Sequence, residues 1–283
     1  MLFDSHCHLD APEFDDDREA VWARALSAGV CGALVPAVEP ASWEKTLATA
    51  RDGARTVALG IHPHYLANLD APSLDAAMAS LADRIRSAGA CVVAVGECGL
   101  DGSTDALRAT LDRQRAVFAA HVEVARTLAL PLVVHVYKAH GEALAAMRAV
   151  KLPANPGVIH SYSGSAELAR EYLAMGWHLA MGGAVTRPNA RRPVEATRAV
   201  PRERLLIETD APDQTPTGAP EGVRRCEPAH LAIIAKKIAE VRGESRDDVG
   251  AYTRENASRL FGAHILTRHS STVPRTLARR TQE

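Results

Sequence analysis

The sequence predicts a closed (β/α)8 barrel, an α/β fold in one domain, and two observations support this fold class. Short runs rich in Val, Ile and Leu alternate with longer stretches of helical spacing, which is typical of parallel strands buried on both faces. Eight such units fit within the 283 residues, close to the usual size of about 250 residues for this barrel. An open, doubly wound sheet is the competing architecture.

Each predicted strand is a short and mostly apolar run. In chain order the runs cover residues 2–5, 32–38, 56–62, 92–96, 130–136, 157–161, 177–182 and 205–209. Between the fourth and fifth runs, the stretch 105–128 is predicted to be one helix. Its apolar residues Leu107, Leu111, Phe118 and Val122 recur at spacings of four and seven, as one face of a helix requires.

We expect one domain over residues 1–263, because no low-complexity linker divides the chain. The segment 211–228 is rich in Pro and Gly and follows the last strand, so we expect a long loop over the barrel mouth. The segment 264–283 has several arginines against a single acid and little helical period. It is predicted to be a disordered basic tail.

Composition and charge limit the classes of partner. The 33 basic and 34 acidic residues nearly cancel, so any contact with nucleic acid has to be local. The five cysteines include no C-x-x-C pair, which favours reduced thiols. With no export signal and no long apolar run, we expect a cytoplasmic protein without a membrane partner. A monomer is compatible with the sequence, which leaves the oligomeric state open.

Polar residues that bind metals follow the predicted strands. His6 and His8 come directly after the first strand, and residues two apart on a strand point the same way, a geometry suited to one divalent ion. In a barrel of this type the reactive groups lie at the carboxyl ends of the strands. Those ends carry His6, His8, His62, His64, Glu97, His135, His160, Glu208 and Asp210.

This residue set favours metal-dependent hydrolysis. Imidazole and carboxylate ligands suit Zn, Mn, Co or Ni, and Mg when water supplies further ligands. The set exceeds one tetrahedral site, so we expect two divalent ions roughly 3.5–4 Å apart with a bridging carboxylate and a shared, activated water. The sequence has no G-x-S-x-G elbow, Walker loop or Rossmann fingerprint.

Several motifs together carry a family resemblance. In chain order they are Asp4-Ser5-His6-Cys7-His8-Leu9, Gly60-Ile61-His62-Pro63-His64, Gly96-Glu97-Cys98-Gly99-Leu100-Asp101, Leu130-Pro131-Leu132-Val133-Val134-His135, His160-Ser161-Tyr162-Ser163-Gly164 and Glu208-Thr209-Asp210-Ala211-Pro212. The chain resembles the TatD family of metal-dependent deoxyribonucleases, within the amidohydrolase-like barrel superfamily. The resemblance spans nearly the whole chain except the tail.

The resemblance implies a role for each ligand. It assigns His6 and His8 to one ion and His135 and His160 to the other. It implies that Glu97 bridges the two ions. Asp210 is expected to bind metal and to handle the proton of the attacking water. Glu208 is expected to orient a ligand or carry a proton, with a purely structural role equally open.

Residues around the predicted metal set concern the substrate. His62 is expected to contact a phosphate or leaving group, and His64 to support the structure. Arg225 is expected to bind substrate, in a motif where Cys226 replaces the Asn common in the family. After His135 the family often has an Arg two positions on, whereas this chain has Tyr137. These departures affect the rim of the site and leave the metal set complete.

The leading hypothesis is a two-metal deoxyribonuclease, a 3′-end exonuclease or phosphodiesterase that acts on DNA ends, with single-stranded ends favoured. The first alternative is a related hydrolase of an amide, ester or lactone, because the same activated water attacks carbon or phosphorus. The second alternative is a binding module without catalysis, which the complete ligand set disfavours.

Overall fold

Eight parallel strands form the centre of the structure, a computed structural model that describes residues 1–50 and 53–262. They lie in chain order: β1 Leu2–Asp4, β2 Val30–Pro36, β3 Arg55–Leu59, β4 Val92–Asp101, β5 Leu132–Tyr137, β6 Gly157–Ile159, β7 His178–Met181 and β8 Leu205–Ile207. The backbone N–H of Ser5 donates to Ile207 O at 3.0 Å, which joins β8 to β1. The sheet closes into a barrel, which confirms the predicted fold class over the open sheet.

Helices follow the strands and cover the outside of the barrel. They are α1 Arg18–Ser27, α2 Trp43–Thr49, α3 Ala71–Ala88, α4 Asp105–Ala109, α5 Leu111–Leu128, α6 His140–Ala149, α7 Ala166–Ala174, α8 Arg191–Ala199, α9 Leu231–Arg242 and α10 Arg246–Phe261. Side-chain caps set several starts: Asp70, Ser165 and Ser245 each accept a backbone N–H three residues on. Such caps satisfy donors that the first helical turn leaves free.

The core has two parts. Alternate strand residues fill the barrel interior, including Phe3, Leu34, Val133 and Leu206. Phe261 of α10 joins this group, with its ring centroid 6.4 Å from that of Phe3. The other part lies between the strands and the surrounding helices. Because side chains fill the barrel, the open space for chemistry lies at the mouth.

Two elements differ most from the prediction, while the other strand ends differ by at most three residues. The single helix expected over 105–128 is wrong, since it breaks at Thr110 into α4 and α5. There the Gln114 amide donates to Thr110 Oγ1 and Leu107 O while its oxygen accepts from Asp101 N. The fourth strand was predicted to stop at residue 96, but β4 pairs with β5 as far as Asp101 and Tyr137. The extension brings Asp101 to the mouth.

The predicted basic tail, 264–283, lies outside the described residues, so it stays a prediction, as does the single domain over 1–263. Among the residues that the structure describes, no helix is both long enough and apolar enough to span a bilayer.

Candidate metal centre

Backbone hydrogen bonds after β1 place the first two predicted ligands. Cys7 N donates to Leu34 O at 3.0 Å and His8 N donates to Ala211 O at 2.7 Å. This continuation of the strand pattern leaves His6 and His8 pointing the same way, as their spacing predicts.

One oxygen of Glu97 on β4 faces a first group of side chains. Its Oε2 lies 3.2 Å from His6 Nε2 and 3.6 Å from His8 Nε2. Asp210 Oδ1 lies 3.5 Å from His6 Nε2 and 3.7 Å from His8 Nε2. The two imidazole nitrogens are 3.1 Å apart. All of these atoms face a common point.

The other oxygen of Glu97 faces a second group. Its Oε1 lies 2.9 Å from His160 Nε2 and 3.5 Å from His135 Nδ1. Those two ring nitrogens are 3.1 Å apart. The two oxygens of the Glu97 carboxylate thus face two different histidine pairs, which is the arrangement that a bridging ligand requires.

The far ring nitrogens of two of these histidines face acceptors. His8 Nδ1 lies 3.2 Å from Pro36 O and His135 Nε2 lies 2.9 Å from Asp101 Oδ2. In a neutral imidazole the nitrogen that faces an acceptor carries the hydrogen. The nitrogen that faces Glu97 therefore presents a lone pair, as metal ligation requires.

The two groups fit divalent ions. Two imidazole lone pairs that face each other at 3.1 Å repel unless a proton or a metal ion lies between them. Around a tetrahedral ion with ligands at about 2.1 Å, neighbouring ligand atoms are about 3.4 Å apart, close to the separations found here. Imidazole and carboxylate donors are also those that Zn, Mn, Co and Ni bind in proteins. The clusters around Glu97 are candidate metal-binding sites.

Charge at the centre favours a cation. Burial raises the pKa of the Glu97 carboxyl, but the surrounding imidazoles, His160 foremost, outweigh it and hold that pKa well below its usual value. Burial lowers the pKa of His160, but Glu97 and Glu208 raise it by more. The pKa of His160 therefore lies well above its usual value. The buried acids thus favour positive charge beside them, carried by a proton or by a metal ion, so the two compete.

His62 is oriented differently from the histidine pairs. Its Nδ1 accepts the backbone N–H of His64 at 3.1 Å, so the hydrogen of the neutral ring is on Nε2. That nitrogen lies 3.3 Å from Glu97 Oε1. Burial lowers the pKa of His62 to about 4, which keeps the ring neutral. His62, Glu97 and His135 also form a group close enough to hold an ion, but the orientation of His62 differs from that of the two histidine pairs.

Asp101 is a residue of the site to which the sequence analysis assigned no role. It is buried and accepts from His135 Nε2 and from His64 Nε2, each at 2.9 Å. Burial raises the pKa of Asp101, but hydrogen bonds from His135, His64 and Ser103 hold it well below the usual value. Asp101 fixes the ring of His135, and the expectation that His64 supports structure is consistent with this contact.

The sequence contains a signal for Asp101. It is four residues after Glu97, so both lie on the same face if the strand continues. Gly99 between them permits the close approach to β5, because a Cβ atom there would lie 2.0 Å from His135 O. The glycine and the strand period together could have identified Asp101.

Glu208 lies behind the centre and is fully buried. It accepts the backbone N–H of Ser161 and lies 3.5 Å from both Ser5 Oγ and His160 Nδ1. It therefore places a carboxylate beside the far nitrogen of His160. Gln214, which the sequence analysis also missed, donates its amide N–H to Asp210 Oδ2 from the loop after β8.

The structure does not bring Arg225 to the cavity. Its guanidinium lies 2.8 Å from Asp17 and 2.9 Å from Glu227, and 4.9 Å from the ring centroid of Phe14. These partners occupy the guanidinium fork. Arg225 therefore ties the loop after β8 to α1, and its predicted contact with substrate has no support in this arrangement.

A cavity of about 620 Å³ opens at the mouth above the histidine clusters. Its wall includes His8, Asp10, Glu13, Glu39, Lys45, His62, His64, Tyr65, Glu97, His135, His160, Asp210 and Asp213. The predicted metal ligands other than His6 thus line a space large enough for a small molecule or a chain end. The loop after β8 contributes Pro212 and Asp213 to this wall, as its predicted position over the mouth requires.

Comparison with known proteins identifies the family. The family model described as TatD related DNase matches residues 3–262. This chain belongs to the TatD family. The family resemblance inferred from the motifs is therefore confirmed, and so is the prediction of a metal-dependent hydrolase of the nuclease class.

Relatives of this TatD-family chain share most of its length. The metal-dependent hydrolase YabD of Bacillus subtilis is 34% identical, with 92% of this chain and 99% of that one covered. The 3′-5′ ssDNA/RNA exonuclease TatD of Cronobacter sakazakii is 36% identical, with 92% and 97% covered. The crystal structure of YjjV, a TatD homologue from Escherichia coli, superposes with a TM-score of 0.84 at 32% identity, covering 92% of this chain and 97% of that one.

Proposed function

We propose that this TatD-family chain is a two-metal exonuclease that removes nucleotides from the 3′ end of single-stranded DNA. The observation that carries the two-metal part is Glu97, whose two oxygens face separate histidine pairs with ring nitrogens 3.1 Å apart in each. The choice of substrate draws on a relative, the Cronobacter sakazakii protein named as a 3′-5′ ssDNA/RNA exonuclease.

The proposed ligand sets follow the two faces of Glu97. His6, His8 and Asp210 hold one ion and His135 and His160 hold the other, with Glu97 shared. Bound divalent ions supply activation of water near neutral pH and neutralise charge on a phosphate. The identity of the ions is left to experiment, with Mg, Mn, Zn, Co and Ni as candidates.

The protein side chains position the substrate and move the proton. Asp210 lines the cavity and accepts the proton of the attacking water, while Gln214 holds its other oxygen. His62 is neutral and carries its hydrogen on Nε2, so it can donate to a phosphate oxygen that reaches Glu97. Asp101 fixes the ring of His135 from behind, and the Glu208 carboxylate lies 3.5 Å from the far nitrogen of His160.

An end-labelling assay tests the proposal. Single-stranded and duplex oligonucleotides labelled at the 5′ end are incubated with the protein and each candidate ion. We expect a ladder that shortens from the 3′ end, fastest on single strands, and no products with EDTA or with Asp210→Asn. Oligonucleotides that stay intact, together with metal-dependent turnover of ester or amide substrates, would move the protein to the alternative hydrolase class.

A further inference from the structure

Many exposed cations in the described part of the chain are paired with acids, whereas a group that follows strands β5 and β7 is not. Arg18, for example, pairs with Asp15, and Arg148 pairs with Glu171. Several exposed cations form no ion pair with any carboxylate in the described part of the chain, and four of these follow β5 or β7: Lys138, Arg187, Arg191 and Arg192. Lys138 directly follows β5, and the three arginines lie after β7, at and before the start of α8. We name them the basic rim.

The barrel order places the basic rim on one side of the mouth. In a closed ring of eight strands, each strand lies across from the fourth strand along. The loops after β5, β6 and β7 therefore face those after β1, β2 and β3.

The opposite side of the mouth is acidic. Asp10 and Glu13 after β1, and Glu39 after β2, line the cavity. Lys45 lines it too, but its ammonium group is 2.8 Å from Asp15. A polyanion that approaches the centre is thus repelled on the β1–β2 side and attracted on the β5–β7 side.

An exposed aromatic ring lies beside the basic rim. Tyr137 ends β5 two residues after His135, and it is 45% exposed, unlike most large apolar side chains of the described residues. The Lys138 ammonium lies 5.4 Å from the centroid of its ring. Aromatic faces next to cations are how proteins bind single-stranded nucleic acid without reading its sequence, because bases stack while phosphates pair with the cations.

We propose that the single strand of DNA leaves the metal centre over the β5–β7 side of the mouth. Bases stack on Tyr137, and the phosphates upstream of the scissile bond contact the basic rim. The acidic wall across the cavity receives the terminal nucleoside, which has no further phosphate beyond it. This inference rests on the proposed exonuclease function and adds the path of the strand and the residues that bind it.

Charge-matched double variants test the path. Lys138→Gln with Arg187→Gln removes two charges from the basic rim. Arg148→Gln with Lys151→Gln removes two exposed charges at the end of α6, which runs away from the mouth. Binding is measured by fluorescence anisotropy with a single-stranded 12-mer whose 3′-terminal linkages are phosphorothioates, and turnover with the unmodified 12-mer and a dinucleotide.

We expect the rim variant to weaken 12-mer binding about tenfold and to lower the slope of log affinity against log salt by about 1.4, because each phosphate contact on a single strand contributes about 0.7. Dinucleotide turnover changes less than about twofold, and the α6 variant matches wild type. Tyr137→Ser weakens binding of the 12-mer about tenfold, whereas Tyr137→Phe retains binding because the phenylalanine ring still stacks on the bases.

The outcomes separate the path from the function. A wild type that shortens DNA while the rim and α6 variants behave alike refutes the path and leaves the exonuclease. If the rim variant loses turnover equally on the 12-mer and the dinucleotide, the proposed path is also refuted, since the basic rim would then act on the metal centre itself. A wild type that neither binds nor shortens DNA overturns the proposed function and the path together.

Discussion

At the scale of single residues, the ring nitrogen that carries the hydrogen distinguishes the proposed metal-binding histidines from His62. His8 and His135 each give one ring nitrogen to an acceptor and turn the other towards Glu97. His62 reverses this, because its Nδ1 accepts a backbone N–H. The sequence shows that these residues are histidines at strand ends, but the identity of the hydrogen-bonded nitrogen depends on backbone groups that only the fold brings near. The site could thus be predicted as a set, and the orientation within it could not.

Asp101→Asn tests the support behind His135. The amide has lost the charge that holds two imidazole N–H groups. Metal affinity or turnover should fall about 10- to 100-fold, the usual cost of removing such a partner. Competition with a chelator of known affinity measures metal affinity, and the end-labelling assay measures turnover. Asp112→Asn on α5, where the side chain is 92% exposed, is the control. Unchanged values for Asp101→Asn would remove Asp101 from the site.

Glu97→Gln tests the shared ligand. The amide keeps the shape of the side chain and removes the charge that offsets two cations held close together. Turnover should fall more than about 100-fold, beyond the cost of losing an outer partner, while circular dichroism shows a folded barrel. Glu142→Gln, an exposed position on α6, should match wild type. Turnover near wild type in folded Glu97→Gln would rule out the shared role.

At the scale of elements, strands were predicted better than their ends. Continuous apolar runs identified all eight strands, since buried parallel strands have few alternatives. The end of β4 was missed because the polar residues and glycine at Glu97, Gly99 and Asp101 have the low hydrophobicity typical of a loop. In the structure β4 continues through them and pairs with β5. The break at Thr110 was missed because it depends on Gln114, which is held by the backbone of a distant strand. Contacts of this kind have no local signal.

The loop after β8 gives a prediction at the same scale. Arg225 joins this loop to the start of α1 through Asp17 and also pairs with Glu227 of the same loop. Arg225→Ala should cost about 1 kcal/mol, since the pairs are partly exposed, and lower the melting temperature by about 2–4 °C. KM for the 12-mer should not change. Arg148→Ala, which breaks a more exposed pair with Glu171, should leave both quantities unchanged. A KM raised several-fold at constant melting temperature would return Arg225 to substrate binding.

At the scale of the whole molecule, the barrel explains why residues from distant parts of the chain form one site. Strands β4 and β5 and the segments directly after β1, β6 and β8 supply the ligands, and the interior below them is filled with side chains. The net charge of −1 does not reveal the uneven distribution of charge at the mouth, which has an acidic side and a basic rim. Composition alone predicted that any contact with nucleic acid would be local, and the charge map is consistent with that expectation.

The central claim is that two ions at Glu97 are needed for hydrolysis, and a metal titration tests it most directly. Chelator-treated protein is dialysed to remove EDTA, and one divalent ion is added in steps while bound metal and 3′-end removal are measured on the same sample. We predict that about two ions bind per chain and that activity appears with the second. Full activity with one ion bound, or activity that survives the chelator with no metal present, would contradict the account.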